Sequence, residues 1–150
     1  MSQSLDPPLP ESLVHLIKTK TATCTLATVG EDGRPNTAPI HIVTAPNERT
    51  LLMGIGRIHD TLRNIRMNPW VSASFMGEGD VAFSVKGRAT ITADRMASSE
   101  ALAMVAIEVT EVKSDTAPSV LVEQGVKIRY RSDRAAAFVT NAFRELEQKP

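Results

Sequence analysis

Apolar positions along this chain recur with two periods, and each change of period marks an element boundary. Leu13, Leu16 and Ile17 fall on one stripe of a short helix opened by Pro10, with Glu11 in its first turn and an end near Lys20. From Thr23 the period drops to two. Thr23–Val29 reads as a strand, Gly30-Glu31-Asp32-Gly33 as a hairpin turn, and Asn36–Thr44 as the returning strand with Ala38, Ile40 and Ile42 on one face. Pro46–Arg49 turns the chain again into a third strand, Thr50–Gly56, whose inner face carries Leu51, Met53 and Ile55. Strands at this spacing predict an antiparallel meander.

A second short helix follows over Asp60–Asn68, anchored by Leu62 and Ile65 and stopped by Pro69. Val71, Ala73 and Phe75 define a fourth strand, with Trp70 before it as a plug at a barrel mouth. The fifth is the clearest. Val81, Phe83, Val85, Ala89 and Ile91 face one way, against Ser84, Lys86, Arg88, Thr90 and Thr92 on a solvated face. The pattern then predicts a helix over Asp94–Ala103 capped by Asp94, and a sixth strand with Val105, Ile107 and Val109. A seventh strand is suggested by Val126, Ile128 and Tyr130 alternating with Lys127, Arg129 and Arg131, and a last helix carries Phe138, Ala142, Phe143 and Leu146. The fold class is therefore mainly β, a β-barrel with a few short helices. One domain over residues 1–150 is expected, with 1–10 as a flexible arm and 113–150 as a C-terminal extension.

Composition narrows the function classes. Seventeen basic residues balance seventeen acidic ones, which removes the general electrostatic case for nucleic acid or an anionic membrane. A single cysteine, Cys24, excludes an internal disulfide and fits a cytoplasmic setting; its thiol reads as buried core. No stretch is long and apolar enough to span a membrane, and three scattered histidines give no metal-ligand spacing, so no metal is expected.

Candidate chemistry concentrates around one strand end. Gly54-Ile55-Gly56-Arg57-Ile58-His59 has the outline of a dinucleotide fingerprint, but His59 replaces the third glycine and the surrounding strands supply no βαβ unit. Gly54 and Gly56 share a strand face, which would leave it bare for a flat ring or another backbone. Arg57, His59 and Thr61 then sit at a strand–helix junction where a forked cation, a hydroxyl and free backbone N–H groups suit a small phosphate. Asp60 reads as a helix N-cap and is expected to point away from that anion. In the second strand, Pro39 implies a sheet edge or a bulge; an edge would leave backbone groups free to bind the polar rim of a ligand, and His41 shares its face.

The hairpin Leu26–Pro39, the run from Thr61 through Asn64 and Asn68-Pro69 to Val71, and the Lys86–Ala89 strand together resemble the FMN-binding split β-barrel superfamily, the pyridoxamine 5'-phosphate oxidase-like proteins. The small FMN-binding proteins of anaerobic bacteria are particularly similar, and the likeness spans roughly residues 20–112. It implies a six-stranded antiparallel split barrel forming a homodimer, with FMN in clefts at the interface. Carried onto this chain, it implies that the backbone of Ala38, Pro39, Ile40 and His41 binds the ring's polar edge. Met53, Gly54, Ile55 and Gly56 would lie along the ring and ribityl chain, and Arg57, His59 and Thr61 would hold the phosphate. Asn64 would be a structural asparagine. The sequence departs from many relatives at Asp60, where they carry lysine or arginine, and it lacks the substrate-binding histidine–arginine signature of true pyridoxamine phosphate oxidases. The implied role is an oxidoreductase or electron-transfer flavoprotein with a small-molecule or protein redox partner and no assigned acid or base. Alternatives are a haem, ligated by His41 or His59, or a deazaflavin in the same cleft, or a regulatory protein without cofactor.

Overall fold

The alternation read over residues 23–56 becomes the framework of a curled antiparallel sheet. The computed structural model describes residues 4–148. In order the elements are β1 (Ser4–Leu5), α1 (Glu11–Lys18), β2 (Cys24–Val29), β3 (Pro35–Ile40), β4 (Ile42–Asn47), β5 (Thr50–Gly56), α2 (Asp60–Met67), β6 (Trp70–Gly77), β7 (Val81–Ala93), β8 (Leu102–Ser114) and α3 (Asp133–Gln148). The main path of the sheet runs β3-β2-β6-β7-β8-β5-β4, with β1 added on β8. This is the β-barrel that the pattern implied and the split barrel that the resemblance implied, with more strands than the six expected.

The expected strand over residues 36–44 is two strands. β3 pairs only with β2, β4 pairs only with β5, and His41 stands between them outside both ladders. The predicted meander is therefore broken at its centre: consecutive strands occupy opposite edges of the sheet. The proline reading survives, since Pro39 lies on an edge strand, Cα partner to Thr25, where a missing N–H costs no ladder bond.

Two further expectations are corrected. Residues 94–101 form bends rather than a helix, and strand β8 begins at Leu102; Asp94 pairs with Arg66 at 3.1 Å instead of capping anything. Residues 121–130 have no regular structure although Gly125 lies against the Met76 carbonyl of β6, since β6 already pairs with β2 and β7; Val126, Ile128 and Tyr130 remain exposed. Trp70 does not plug the barrel either. It stands on the outer face, half exposed, with the Arg88 guanidinium 6.0 Å from its ring centroid. Of the segment expected as an arm, residues 4–5 pair with β8 and Leu9 is buried, its N–H bonded to the Glu48 carbonyl at 2.7 Å; residues 1–3 lie outside the described residues.

The barrel interior holds Leu26, Leu51, Met53, Ile55, Phe75 and Ile107, all essentially without exposure, joined by Leu13 and Ile17 from α1 and by Leu62 and Ile65 from α2. A second apolar cluster lies on the other side of β4 and β5. There Ile42, Leu52, Leu102 and Met104 are covered by Met96 and by Ala142, Phe143 and Leu146 of α3. All three helical stripes are readable at spacings of three and four.

Cys24 sits fully inside the main core, and burial pushes its thiol up to about 12. A neutral, enclosed thiol is not a nucleophile. We expect native protein at about pH 8 to resist thiol reagents on a timescale over which denatured protein reacts fully. Rapid labelling without unfolding, read by mass spectrometry, would contradict this placement.

Candidate functional site

Three elements converge where the chain crosses between the sheet edges. β3, β5 and α2 contact one another, although β3 and β5 share no ladder. Ile42, next to His41, pairs with Gly54, which brings the Ala38–His41 stretch to the end of β5, while α2 follows β5 and faces Pro35 and Asn36 at the start of β3.

The side chains divide by burial. Ile40, Met53 and Ile55 point into the core, so only their backbone can serve a ligand. Ala38 is half-buried, and Pro39 and His41 are exposed. His41 Nδ1 shares a hydrogen bond of 3.0 Å with Thr23 Oγ1, which orients the imidazole and leaves Nε2 outward. On α2, Thr61 is buried in the first turn beside Leu62 and Ile65, so its hydroxyl does not face solvent as a phosphate donor would. Asn64 is buried too, and its Nδ2 donates to Thr28 Oγ1 at 3.0 Å, tying α2 to β2. That is a structural role, as the resemblance implied.

The bare glycine face is corrected. A Cβ on Gly54 would meet Ile42 Cγ2 at 3.2 Å and Met96 Sδ at 3.4 Å, because the second apolar cluster closes over it. A Cβ on Gly56 would meet His59 Cδ2 at 2.6 Å: the exposed His59 ring lies across that glycine. The glycines do allow close approach, but in this chain their neighbours are its own side chains.

The junction after β5 keeps its cation. Arg57 N donates to the Ala101 carbonyl at 2.9 Å and Arg57 Nη1 to the Glu100 carbonyl at 3.3 Å, and no carboxylate pairs with it among the described residues. Neighbouring arginines are neutralised: Arg63 pairs with Asp60 at 3.0 Å, Arg66 with Asp94. His59, in extended conformation, is the N-cap residue of α2, and no side chain caps that terminus. Asp60 is thus the first helical residue, not the cap, and its carboxylate is drawn along the helix to Arg63. The unspent donors at this point are the remaining N–H groups of the Arg57 guanidinium and the first N–H groups of α2, at Asp60 and Thr61.

Beside the junction an open cleft of about 760 Å³ lies between the β2–β3 turn and α2. Its arginines are paired, Arg34 with Asp32 at 2.5 Å and Arg63 with Asp60. Asp32 is held below the usual carboxylate range by the Arg34 backbone N–H and then by its guanidinium. The sequence reading missed two features here. Ile58 is almost entirely exposed beside Arg57, and Glu100 and Ala101 supply the carbonyls that hold Arg57. Neither carries a motif, since an isoleucine in a turn and two loop carbonyls leave no pattern.

No functionally curated protein matches the sequence. Solved structures share the fold at low identity. A candidate pyridoxamine 5'-phosphate oxidase from Lactobacillus delbrueckii is 22% identical with a TM-score of 0.64, covering 73% of this chain and 98% of its own. HupZ of Group A Streptococcus is 17% identical with a TM-score of 0.63, covering 78% and 99%. An FAD-binding protein from Mesorhizobium loti is 16% identical with a TM-score of 0.54, covering 75% and 96%. An F420 reductase is 20% identical with a TM-score of 0.58, covering 69% and 98%. The sequence profile described as pyridoxamine 5'-phosphate oxidase matches residues 9–131, most of the chain and both halves of the junction, and the chain belongs to that family.

Proposed function

We propose that this protein is a flavin-binding oxidoreductase or electron carrier and that its cofactor is FMN. The observation that carries the reading is the unpaired Arg57 beside the uncapped start of α2, a phosphate-sized set of donors next to an edge-strand backbone. The free backbone side of β3 and the corner at His41 would receive the polar edge of the ring. Arg57 and the N–H groups of α2 would hold the phosphate. With Asp60 drawn to Arg63, the acidic departure at this position does not oppose an anion.

The residues fit the group at Gly56 with one adjustment, while Gly54 stays closed by Ile42 and Met96 and takes no part. The His59 ring occupies the space over Gly56, is exposed, and makes no side-chain hydrogen bond among the described residues, so a rotamer change would open the glycine to the ring and ribityl chain. Bound flavin would supply hydride or electron transfer at N5; the chain would orient the ring and exclude water from part of it. The reading includes a homodimer, with each cleft completed by the second copy. Flavin-type ligands are also carried by the names of the Mesorhizobium protein and the F420 reductase.

The test is titration of purified protein with FMN, read by quenching of flavin fluorescence and by the absorption spectrum. Saturable binding at a stoichiometry of one per chain is expected. Unquenched fluorescence at high protein concentration overturns FMN. A deazaflavin spectrum in the purified protein would move the assignment to that cofactor, and a Soret band would move it to haem.

A further inference from the structure

Arg57 is held by a loop, and the loop is held by the C-terminal helix. Residues 94–101 join β7 to β8 as bends, so ladder bonds do not fix the middle of this loop. Glu145 of α3 does. Its Oε2 accepts from the Ala97 N–H at 3.0 Å and its Oε1 from the Ser98 N–H at 2.6 Å, one carboxylate bridging two successive backbone donors. Such bonds to an ionised acceptor are among the stronger ones. Two residues further on, the Glu100 and Ala101 carbonyls take the Arg57 side chain and backbone.

Helix α3 is itself well seated. Ala142, Phe143 and Leu146 are buried in the second apolar cluster, and Lys20 pairs with Glu147 at the helix end. Glu145 thus projects from a fixed platform onto the loop. Because the acceptors on Arg57 are neutral carbonyls, its charge is positioned without being cancelled, and most of its five N–H donors stay available. The helix lies beyond residue 131, where the family profile ends. The clamp therefore joins a helix outside the matched stretch to a loop and an arginine inside it.

We propose that Glu145 is a positioning residue for the phosphate site, acting through the 97–101 loop on Arg57. The inference rests on the FMN reading, so its test separates the phosphate contribution from the rest. FMN and riboflavin share the ring and ribityl chain and differ in the phosphate. Dissociation constants for both are measured with wild type, Arg57→Ala, Glu145→Ala, Glu145→Gln and the double variant Arg57→Ala/Glu145→Ala.

Wild type should prefer FMN over riboflavin, and Arg57→Ala should reduce that preference about tenfold or more, the loss expected for a charge-assisted contact. Glu145→Ala should reduce it at least about threefold with riboflavin affinity unchanged, and Glu145→Gln, which keeps one acceptor, by less. The double variant should match Arg57→Ala alone, because the clamp has nothing left to position. If Glu145→Ala leaves the FMN preference intact while Arg57→Ala abolishes it, the proposal fails and the phosphate site stands. If Glu145→Ala weakens both flavins by the same factor, Glu145 serves stability only and the proposal fails. If wild type binds FMN no better than riboflavin, the phosphate site fails and the proposal with it. Glu145→Gln preserves the side-chain volume and keeps the test open should the alanine variant not fold.

Discussion

Gly87→Ala should destabilise the protein by about 3 kcal/mol, among the largest losses available to a single added methyl group. The reason is a backbone collision. A Cβ at this position would lie 2.2 Å from the Glu108 carbonyl oxygen and 2.8 Å from Ile107 Cγ2. A carbonyl in a ladder cannot swing aside as a side chain can. Strands β7 and β8 are the longest in the sheet, and their register shifts between Lys86 and Gly87, where Lys86 faces Glu111 and Gly87 faces Val109. Thr110 is the extra residue, and its hydroxyl donates to the Lys86 carbonyl at 3.3 Å. Relieving the clash would separate the strands at this bulge and lengthen ladder bonds on both sides. The midpoint of urea unfolding should fall with its slope unchanged. A midpoint equal to wild type would show that β7 and β8 separate here at little cost.

Phe75→Ala is the converse error, too little volume instead of too much. Phe75 is fully buried on β6 and lies opposite Phe83 of β7 as its Cα partner. Truncation removes the ring and leaves a cavity among residues fixed by two ladders, at a cost of about 3–5 kcal/mol. Domains of this size are stable by roughly 5–15 kcal/mol, so the variant should sit near the edge of folding at room temperature. Thermal unfolding followed by far-ultraviolet circular dichroism reads it directly. A loss under about 1 kcal/mol would mean that the barrel collapses around the void, contrary to the close packing expected of such a core.

These two positions differ in how they announce themselves in a sequence. Phe75 belongs to an alternation with Val71 and Ala73, and a half-buried strand writes that alternation plainly. Gly87 reads as one more residue of a strand, because its constraint comes from a neighbour twenty-one positions away. The same contrast runs through the fold. Helices α1, α2 and α3 and strands β6, β7 and β8 were legible from periodicity. The break at His41 was not, since the apolar pattern continues across it and only the partner strands change. Nor was the absence of a helix over 94–103, where several helix-forming residues outweigh the loop that Glu145 holds open from α3.

The site was legible in part for a similar reason. Local spacing placed Gly54, Gly56 and Arg57 at a strand end and Asp60 at a helix start, and the structure keeps those positions. What covers the glycines comes from Ile42, Met96 and His59, two of them distant in the chain. The junction spacing makes Thr61 a hydroxyl donor for a phosphate, whereas the stripe formed with Leu62 and Ile65 turns it inward. Spacing reveals which residues are neighbours along the chain, whereas shielding depends on what folds back over them.

The crossing at His41 gives the barrel an unusual kind of closure. Its first and last strands are consecutive in sequence and share no ladder, so the seam is spanned by one peptide link and by side-chain packing, not by a row of hydrogen bonds. A cut of the peptide there would remove no ladder bond: β3 would stay fastened to β2 and β4 to β5.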